Sequence, residues 1–207
     1  MVETQLRKRG ISDARVLAAM SKVPRHEFVD ERHRAEAYAD HPVPIAEGQT
    51  ASQPYIIAAM LQAAEIKPED RVLEIGAGSG YQTALLSELA AQVYAVERYA
   101  TLADQASAKL AAMGYSNINI VVADGSLGFP DSAPYHAIIV SCAAPRVPPA
   151  LLAQLAPNGR LVIPIGQLEE QSLQLLRKLP DGTASSRLLE SCRFVPLIGE
   201  QGFKSST

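Results

Sequence analysis

The sequence has few cysteines, no tryptophan, no long apolar run and no excess of basic residues. Its two cysteines, Cys142 and Cys192, cannot form a disulfide framework, and without histidines at ligand spacing they cannot form a structural zinc site. No apolar run reaches the ~18 residues that a membrane span needs. Because the net charge is −3, we expect neither duplex DNA nor an anionic membrane as a partner. The free thiols suit a reducing compartment, so we expect a cytoplasmic protein without a metal site.

The remaining composition is that of an ordinary globular protein. The chain has 207 residues, of which 47% are hydrophobic and 20% are charged. This length corresponds to one domain with a core of its own. Basic side chains near the start are not followed by an apolar stretch, so this segment does not resemble a secretory signal. We expect a single domain over 1–207, and a monomer.

Strand and helix patterns alternate in the middle of the chain. Such alternation requires right-handed crossovers and predicts an α/β fold with a doubly wound, mostly parallel sheet, as in Rossmann-like proteins. The predicted strands are 71–75, 92–96, 117–122, 135–141 and 159–164. The predicted helices between them are 79–90, 100–113 and 149–155.

The two ends of the chain have different patterns. Helical spacing predicts one or two helices over 2–23, three prolines predict a long loop over 38–54, and a helix follows over 55–65. Near the C-terminus, 172–179 and 188–197 are predicted to form an antiparallel hairpin that closes the sheet, and 199–207 to fray. The domain thus has three parts, which are N-terminal helices with a loop (1–54), a βα core (55–166) and C-terminal strands (167–207).

A glycine-rich turn follows the first strand of the sheet, from Glu74 to Gly80 (Glu-Ile-Gly-Ala-Gly-Ser-Gly). Glycines let the backbone turn sharply beside a ligand, and the helix that follows presents unpaired N–H groups. Glu97 ends the next strand about 20 residues later, where a carboxylate can bind both hydroxyls of a ribose. Asp124 and Gly125 follow the third strand, where a carboxylate can accept a hydrogen bond from an adenine amino group. Together these strand ends predict a nucleotide site.

The spacing of the glycines distinguishes between nucleotides. Dinucleotide-binding loops have Gly-x-Gly-x-x-Gly, whereas here Gly80 comes one place early and Tyr81 follows it. Glu74 is a poor neighbour for a pyrophosphate but suits a sulfonium or an amino group. The pattern favours S-adenosylmethionine over NAD. An NAD-dependent oxidoreductase and a non-catalytic binding module on the same fold stay open as alternatives.

These motifs are similar to the cofactor motifs of class I methyltransferases. A more specific segment, Gly48 to Pro54 (Gly-Gln-Thr-Ala-Ser-Gln-Pro), resembles the signature loop of the protein-L-isoaspartate O-methyltransferases. The resemblance covers nearly the whole chain, from Val23-Pro24-Arg25 to the segment 193–197 (Arg-Phe-Val-Pro-Leu). The chain departs from the family pattern at Ala51, where the family usually has Ile or Val, and at His136, where it usually has Asp. Further departures are Ala46, Ala123 and Ser141-Cys142.

The resemblance implies a protein-repair enzyme. Such an enzyme transfers a methyl group from S-adenosylmethionine to the α-carboxylate of L-isoaspartyl residues in damaged proteins and peptides, and releases S-adenosylhomocysteine. In the family, the serine that matches Ser52 holds the acceptor carboxylate, and Thr50 and Gln53 are expected to assist. The cofactor-binding residues that the resemblance implies are Glu74, Gly76, Ala77, Gly78, Ser79, Gly80, Glu97, Asp124 and Gly125.

Some alternatives stay open at the level of sequence. Ser52 also suits the N-cap of the helix that begins near Pro54. A class I methyltransferase acting on another carboxylate or a small molecule would share the cofactor motifs. The implied reaction needs no catalytic histidine, because an α-carboxyl group with a pKa of about 3.3–3.7 is already ionised at neutral pH. We expect both cysteines to be buried apolar residues rather than nucleophiles.

Overall fold

The computed structural model describes residues 1–204, and its main element is a seven-stranded sheet. Two short strands precede that sheet in the chain and pair with each other. In chain order the strands are β1 (Val43–Pro44), β2 (Thr50–Ala51), β3 (Arg71–Ile75), β4 (Gln92–Glu97), β5 (Ile118–Val122), β6 (Tyr135–Val140), β7 (Leu155–Gly166), β8 (Gln171–Lys178) and β9 (Ala184–Cys192).

Helices lie between the strands and at the N-terminus. The α-helices are α1 (Ala14–Lys22), α2 (Pro54–Ala64), α3 (Tyr81–Leu89), α4 (Ala100–Ala112) and α5 (Pro149–Ala153). A π-helical turn over Val2–Leu6 and a 3₁₀ turn over Arg7–Arg9 precede α1, so three helical pieces stand where one or two helices were predicted over 2–23. None of the helices within 1–204 is both long and apolar enough to cross a membrane.

The strand order β5-β4-β3-β6-β7-β8-β9 confirms the predicted doubly wound architecture. Strands β3 to β7 pair in parallel, whereas β8 and β9 are antiparallel to their neighbours. Parallel pairs need helical crossovers, which place apolar cover on the sheet. The carboxyl ends of β3, β4 and β6 therefore meet at one edge of the sheet.

The sheet buries both of its faces, as the apolar strand sequences predict. Side chains alternate between faces with a period of two. On β3, Val72 packs with α1, α2 and α3 on one face, and Leu73 and Ile75 pack on the other face with Leu151 of α5. All four side chains are buried. This two-sided packing holds the strand ends in fixed positions.

The second strand of the C-terminal hairpin lies earlier in the chain than predicted. It runs over Ala184–Cys192 rather than 188–197, because a tight turn closes at Asp181, whose side chain accepts hydrogen bonds from Thr183 N and Oγ1. Pairing with β8 then begins at Ala184. The apolar residues after Cys192 leave the sheet, and Leu197 N donates to the carbonyl of Ala143 at 2.7 Å, beside the end of β6.

Two further expectations were wrong in part. The 38–54 segment is not wholly irregular, since β1 and β2 pair within it and Ile45 N donates to the carbonyl of Gln49 at 2.9 Å. The expected fraying does not extend to 199–203, where Gly199 N donates to Phe203 O and Phe203 N donates to Leu197 O. Residues 205–207 lie outside the described chain.

Candidate active site

A cavity of about 150 Å³ lies at the carboxyl edge of the sheet. The glycine turn after β3, the end of β4 and the start of the segment after β6 form its walls. Open α/β sheets bind ligands at this edge. Its lining includes Gly76, Gly78, Glu97, Tyr99, Gly125, Ser141 and Leu197. We call it the cofactor-side cavity.

The glycines of the turn are needed for its backbone conformation. Gly76, Gly78 and Gly80 have φ angles of 88°, 54° and 86°, a region that other residues rarely adopt. At Gly80 a Cβ would lie 3.1 Å from Cβ of Ala106 in α4, so this glycine also permits close packing. Helix α3 begins at Tyr81, with Gly80 as its N-cap, rather than at Ser79 as predicted.

Glu97 holds the glycine turn in place. Its buried carboxylate accepts hydrogen bonds from Gly78 N at 2.9 Å, Arg98 N at 2.7 Å and Tyr99 N at 3.0 Å. Within residues 1–204, the oxygen Oε2 accepts one hydrogen bond, from Gly78 N, and so retains a lone pair. Because Glu97 also lines the cofactor-side cavity, it is placed to fix the turn and to accept a hydrogen bond from a ligand.

The Asp124 carboxylate forms hydrogen bonds within the chain. Its Oδ1 accepts from Ser126 N at 2.9 Å and from Ser126 Oγ at 2.7 Å, and its Oδ2 accepts from Glu200 N at 2.8 Å. Partial burial acts to raise the pKa of Asp124, but these hydrogen bonds outweigh it and lower that pKa. Gly125 lines the cofactor-side cavity, whereas the Asp124 carboxylate anchors the C-terminal segment beside it. Its predicted contact with adenine stays a prediction.

Glu74 lies behind the glycine turn and has no exposed surface. Its carboxyl group accepts from Gln82 Nε2 at 3.0 Å and from Thr83 Oγ1 at 2.6 Å. Burial raises the pKa of Glu74 to about 8, so the group is mostly protonated at neutral pH. It faces a second, smaller cavity of about 40 Å³, which we call the inner cavity and which Ser52, Ala77 and Ser79 also line.

The raised pKa of Glu74 predicts a pH-dependent stability. The folded group titrates near pH 8 and the unfolded group near 4.5, so its contribution is full below pH 4.5 and is lost as the pH rises through 8. We expect Glu74→Gln, which cannot titrate, to gain melting temperature relative to wild type by on the order of 5 °C between about pH 5.5 and 7.5. Thermal melts of both proteins across this range test it, and parallel curves would contradict it.

The loop predicted to carry the acceptor site is fixed by short-range pairing. Residues of β2 pair with β1, and the carbonyl of Ser52 accepts a hydrogen bond from Arg25 Nη2 at 2.8 Å. Ser52 is not the N-cap of α2, since Gln53 takes that position without a side-chain cap. The Ser52 hydroxyl has no hydrogen-bond partner among residues 1–204. This half-buried hydroxyl is therefore available to a ligand.

Ser52 lies between the inner cavity and a third space. We call this space the outer groove. Its volume is about 190 Å³, and its walls come from the loop around Ser52 and from the end of β9, including Ser191, Arg193 and Phe194. Thr50 lines the cofactor-side cavity, the inner cavity and the outer groove. Gln53 lines the outer groove, and its Nε2 donates to the carbonyl of Asp40 at 2.9 Å.

Sequence analysis missed Ser141 as a site residue. It lines all three spaces, and its hydroxyl accepts a hydrogen bond from Gln82 Nε2 at 2.6 Å. A signal was available, because Ser141 is the polar residue that directly follows β6 at the ligand-binding edge of the sheet. Ser141 is where the predicted cofactor and acceptor regions meet.

The prediction that both cysteines are buried holds for Cys142 and only in part for Cys192. Cys142 is buried, and burial raises the pKa of its thiol, so it is not an ionised nucleophile at neutral pH. Cys192 is only half-buried and lines the outer groove, although burial still raises its pKa to about 11. The described residues contain no group of three or more His, Cys, Asp or Glu side chains that is able to hold a metal ion.

The structure shows what surrounds two of the residues at which the chain departs from the family pattern. His136 lies at the start of β6, away from the three spaces, and its Nδ1 accepts a hydrogen bond from Arg71 N at 2.9 Å. Ala51 is buried in a small cluster with Val29 and Leu102, and it lines the inner cavity. Of these two, Ala51 is the one beside the candidate acceptor site.

Comparisons with known proteins point to one family. A family model described as Protein-L-isoaspartate(D-aspartate) O-methyltransferase matches residues 1–202. A protein-L-isoaspartate O-methyltransferase of Koribacter versatilis is 55% identical over 98% of this chain and 91% of that protein. One of Protochlamydia amoebophila is 51% identical over 100% of this chain and 99% of that protein.

Solved structures agree with the sequence relatives. A protein-L-isoaspartate O-methyltransferase superposes with a TM-score of 0.87 at 29% identity, covering 98% of this chain and 67% of that one. A putative member from Plasmodium falciparum, solved in complex with S-adenosyl-L-homocysteine, gives a TM-score of 0.80 at 26% identity, covering 93% and 94% of the two chains. By fold, by the glycine turn and by matches over nearly its whole length, this chain belongs to the protein-L-isoaspartate O-methyltransferase family.

Proposed function

We propose that this chain transfers the methyl group of S-adenosylmethionine to the α-carboxylate of L-isoaspartyl residues in damaged proteins and peptides, and that Ser52 holds that carboxylate. One observation carries the assignment of Ser52. Its hydroxyl, which has no partner within the described part of the chain, lies between the inner cavity and the outer groove. Thr50 nearby also lines the cofactor-side cavity. Relatives with this activity in their names are about half identical to the chain over nearly its whole length, which supports the same reaction here.

The chemistry of the cofactor-side cavity fits an adenosyl group. Glu97 offers a carboxylate oxygen for ribose hydroxyls, while Ile75 and Leu197 offer apolar surface for a base. When bound, S-adenosylmethionine supplies a methyl group on a positively charged sulfur. In our proposal Gly76, Gly78 and Gly125 let the backbone approach that molecule closely, and Ala77, Ser79, Gly80 and Glu74 form the turn behind it.

The proposed reaction does not require the residues around Ser52 to act as a general acid or base. The acceptor carboxylate is ionised at neutral pH, so it needs orientation and the removal of water rather than a base. The Ser52 hydroxyl donates a hydrogen bond to one carboxylate oxygen and leaves the other free to react. Thr50 closes the site on the cofactor side, and Gln53 holds the loop through Asp40. Such positioning is worth ~7–11 kcal/mol in favourable cases.

The outer groove suits a polypeptide acceptor. It opens to solvent between the Ser52 loop and the end of β9, where Ser191 and Arg193 are exposed. A chain can therefore lie across the groove while one short branch reaches Ser52. An isoaspartyl residue has such a branch, because the backbone continues through its side chain and leaves the α-carboxylate free.

We also propose that the protein works as a monomer in the cytoplasm. The location is supported by the free thiols Cys142 and Cys192, which a reducing compartment preserves.

Methyl labelling of a matched peptide pair tests the proposed function. The two peptides differ only in having an L-isoaspartyl or a normal aspartyl residue at one position. We expect labelled methyl to enter the isoaspartyl peptide as a base-labile ester and not to enter the aspartyl peptide. Equal labelling of both peptides, or labelling of neither while the protein binds S-adenosylhomocysteine, would rule out this acceptor. In that case a class I methyltransferase with another acceptor becomes the better account.

A further inference from the structure

Arg25 is a fully buried cation beneath the loop that carries Ser52. Its Nε donates to the carbonyl of Ala37 at 2.7 Å, and its Nη2 donates to the carbonyl of Ser52 at 2.8 Å. The guanidinium lies over the ring of Tyr81, with Cζ 4.8 Å from the ring centroid. The remaining nitrogen, Nη1, is buried and has no hydrogen-bond partner among residues 1–204.

This arrangement leaves a buried positive charge without a counter-ion. Arg25 takes part in none of the ion pairs of the described chain. Burial lowers the pKa of Arg25, but a guanidinium keeps its proton in proteins. Carbonyl groups satisfy two of its nitrogens and do not neutralise the charge, and an unpaired buried charge is costly. A ligand anion at Nη1 would remove that cost.

The inner cavity adjoins Arg25, which is one of the residues that line it. Its volume of about 40 Å³ corresponds to roughly two or three water molecules. Arg25 and Ser52 contribute hydrogen-bond donors that have no partner within residues 1–204, and Tyr81 and Glu74 are the other titratable groups of the lining. Both groups are mostly uncharged at neutral pH, because burial raises both of their pKa values, that of Glu74 to about 8. The cavity therefore presents one positive charge and no negative one.

We propose that the inner cavity is a carboxylate-binding subsite in which Arg25 Nη1 and the Ser52 hydroxyl share one carboxylate group. This inference rests on the proposed function and adds Arg25 as a charged partner of the carboxylate. Arg25 acts twice, because it also fixes the backbone of Ser52 through Nη2. The chemistry of the ligand is a carboxylate joined to a flexible chain.

Two molecules of the reaction carry such a group. The acceptor carboxylate enters from the outer groove, which shares Ser52 with the inner cavity. The amino-acid end of the cofactor enters from the cofactor-side cavity, which shares Gly76 and Gly78 with it. The experiment must therefore separate these two sources of the same chemistry.

Competition binding with two matched ligand pairs tests the subsite on the full-length protein. One pair is an L-isoaspartyl peptide with a free α-carboxylate and the same peptide with an α-carboxamide. The other pair is S-adenosylhomocysteine and 5′-methylthioadenosine, which lacks the amino-acid end. In wild type we expect the carboxylate member of the peptide pair to bind about 10- to 100-fold more tightly, as for a hydrogen bond to a charged group.

The variant Arg25→Gln removes the charge and keeps hydrogen-bond donors. We expect it to lose that preference in the peptide pair and to keep its affinity for the neutral member within about threefold, whereas a merely structural defect would weaken both members alike. Loss in the peptide pair supports the subsite, because Ser52 and Arg25 then share the acceptor carboxylate. Loss in the nucleoside pair alone would place the carboxylate of the cofactor there and would contradict the proposal. If wild type shows no preference in either pair, or if Arg25→Gln retains every preference, the proposal is overturned.

A second measurement keeps the test decisive if Arg25→Gln does not fold. Wild type labelled with ¹⁵N-arginine is titrated with each ligand, and the Arg25 guanidinium signal is identified by its absence from Arg25→Lys. A shift with the isoaspartyl peptide but not with its carboxamide partner supports the subsite, and equal or absent shifts contradict it. Binding is measured without methyl transfer, so a failure here is distinct from a failure of the peptide labelling that tests the proposed function.

Discussion

Replacing Ser52 with alanine should lower kcat for an isoaspartyl peptide by about 100-fold, while the Kd for S-adenosylhomocysteine changes less than about threefold. In our proposal the hydroxyl orients the acceptor carboxylate, and it has no hydrogen-bond partner within residues 1–204 that its loss would disturb. The carbonyl that Arg25 binds belongs to the backbone and stays in place. Steady-state methylation kinetics together with calorimetric binding of S-adenosylhomocysteine measure the two quantities separately.

A matched serine serves as the control for this variant. Ser185 is exposed on β9, far along the strand from the outer groove, so Ser185→Ala should match wild type in both measurements. If Ser52→Ala retains more than about half of the wild-type kcat, the hydroxyl does not orient the acceptor. If it loses cofactor affinity as strongly as turnover, Ser52 belongs to the cofactor site instead.

Glu97→Ala should have the opposite effect, raising the Kd for S-adenosylhomocysteine by about 100-fold or more. A hydrogen bond from a ribose hydroxyl to the remaining lone pair of this charged group is worth ~1.5–3 kcal/mol. The substitution also removes the acceptor of the Gly78, Arg98 and Tyr99 N–H groups, which loosens the glycine turn. Isothermal titration and the thermal shift produced by S-adenosylhomocysteine both report this loss.

Controls separate binding by Glu97 from its role in the turn. Glu169 is exposed beyond β7, and Glu169→Ala should bind S-adenosylhomocysteine as wild type does. Glu97→Gln keeps the volume and an acceptor oxygen for the turn, so its Kd should lie between those of wild type and Glu97→Ala. A Kd within about threefold of wild type for Glu97→Ala would show that the ribose is held elsewhere.

The sequence predicts the βα core well because its signals are local. Each central strand is a short apolar run buried on both faces. The turn after β3 is recognisable in the sequence because its positive φ angles favour glycine. Glu97 follows from its spacing alone, and the structure places it against the Gly78 backbone as well as against the cavity. For such features, neighbouring residues in the chain determine the conformation.

Other features depend on contacts between distant parts of the chain. In the sequence, Arg25 stands out only as part of the motif Val23-Pro24-Arg25. Its partners in the structure are the carbonyl groups of Ala37 and Ser52, which lie 12 and 27 residues further on. The sequence predicts that Asp124 binds a ligand, yet in the structure its carboxylate accepts a hydrogen bond from the backbone N–H of Glu200, 76 residues away. No local pattern encodes either contact, so only the assembled fold reveals them.

The central claim is that Ser52 presents the acceptor carboxylate to a cofactor held by Glu97. A crystal structure of the protein with S-adenosylhomocysteine and an L-isoaspartyl peptide tests it most directly. We predict Ser52 Oγ within about 3.2 Å of one oxygen of the peptide α-carboxylate, with the other oxygen facing the sulfur. A peptide carboxylate bound away from Ser52, or a ribose that does not contact Glu97, would contradict the account.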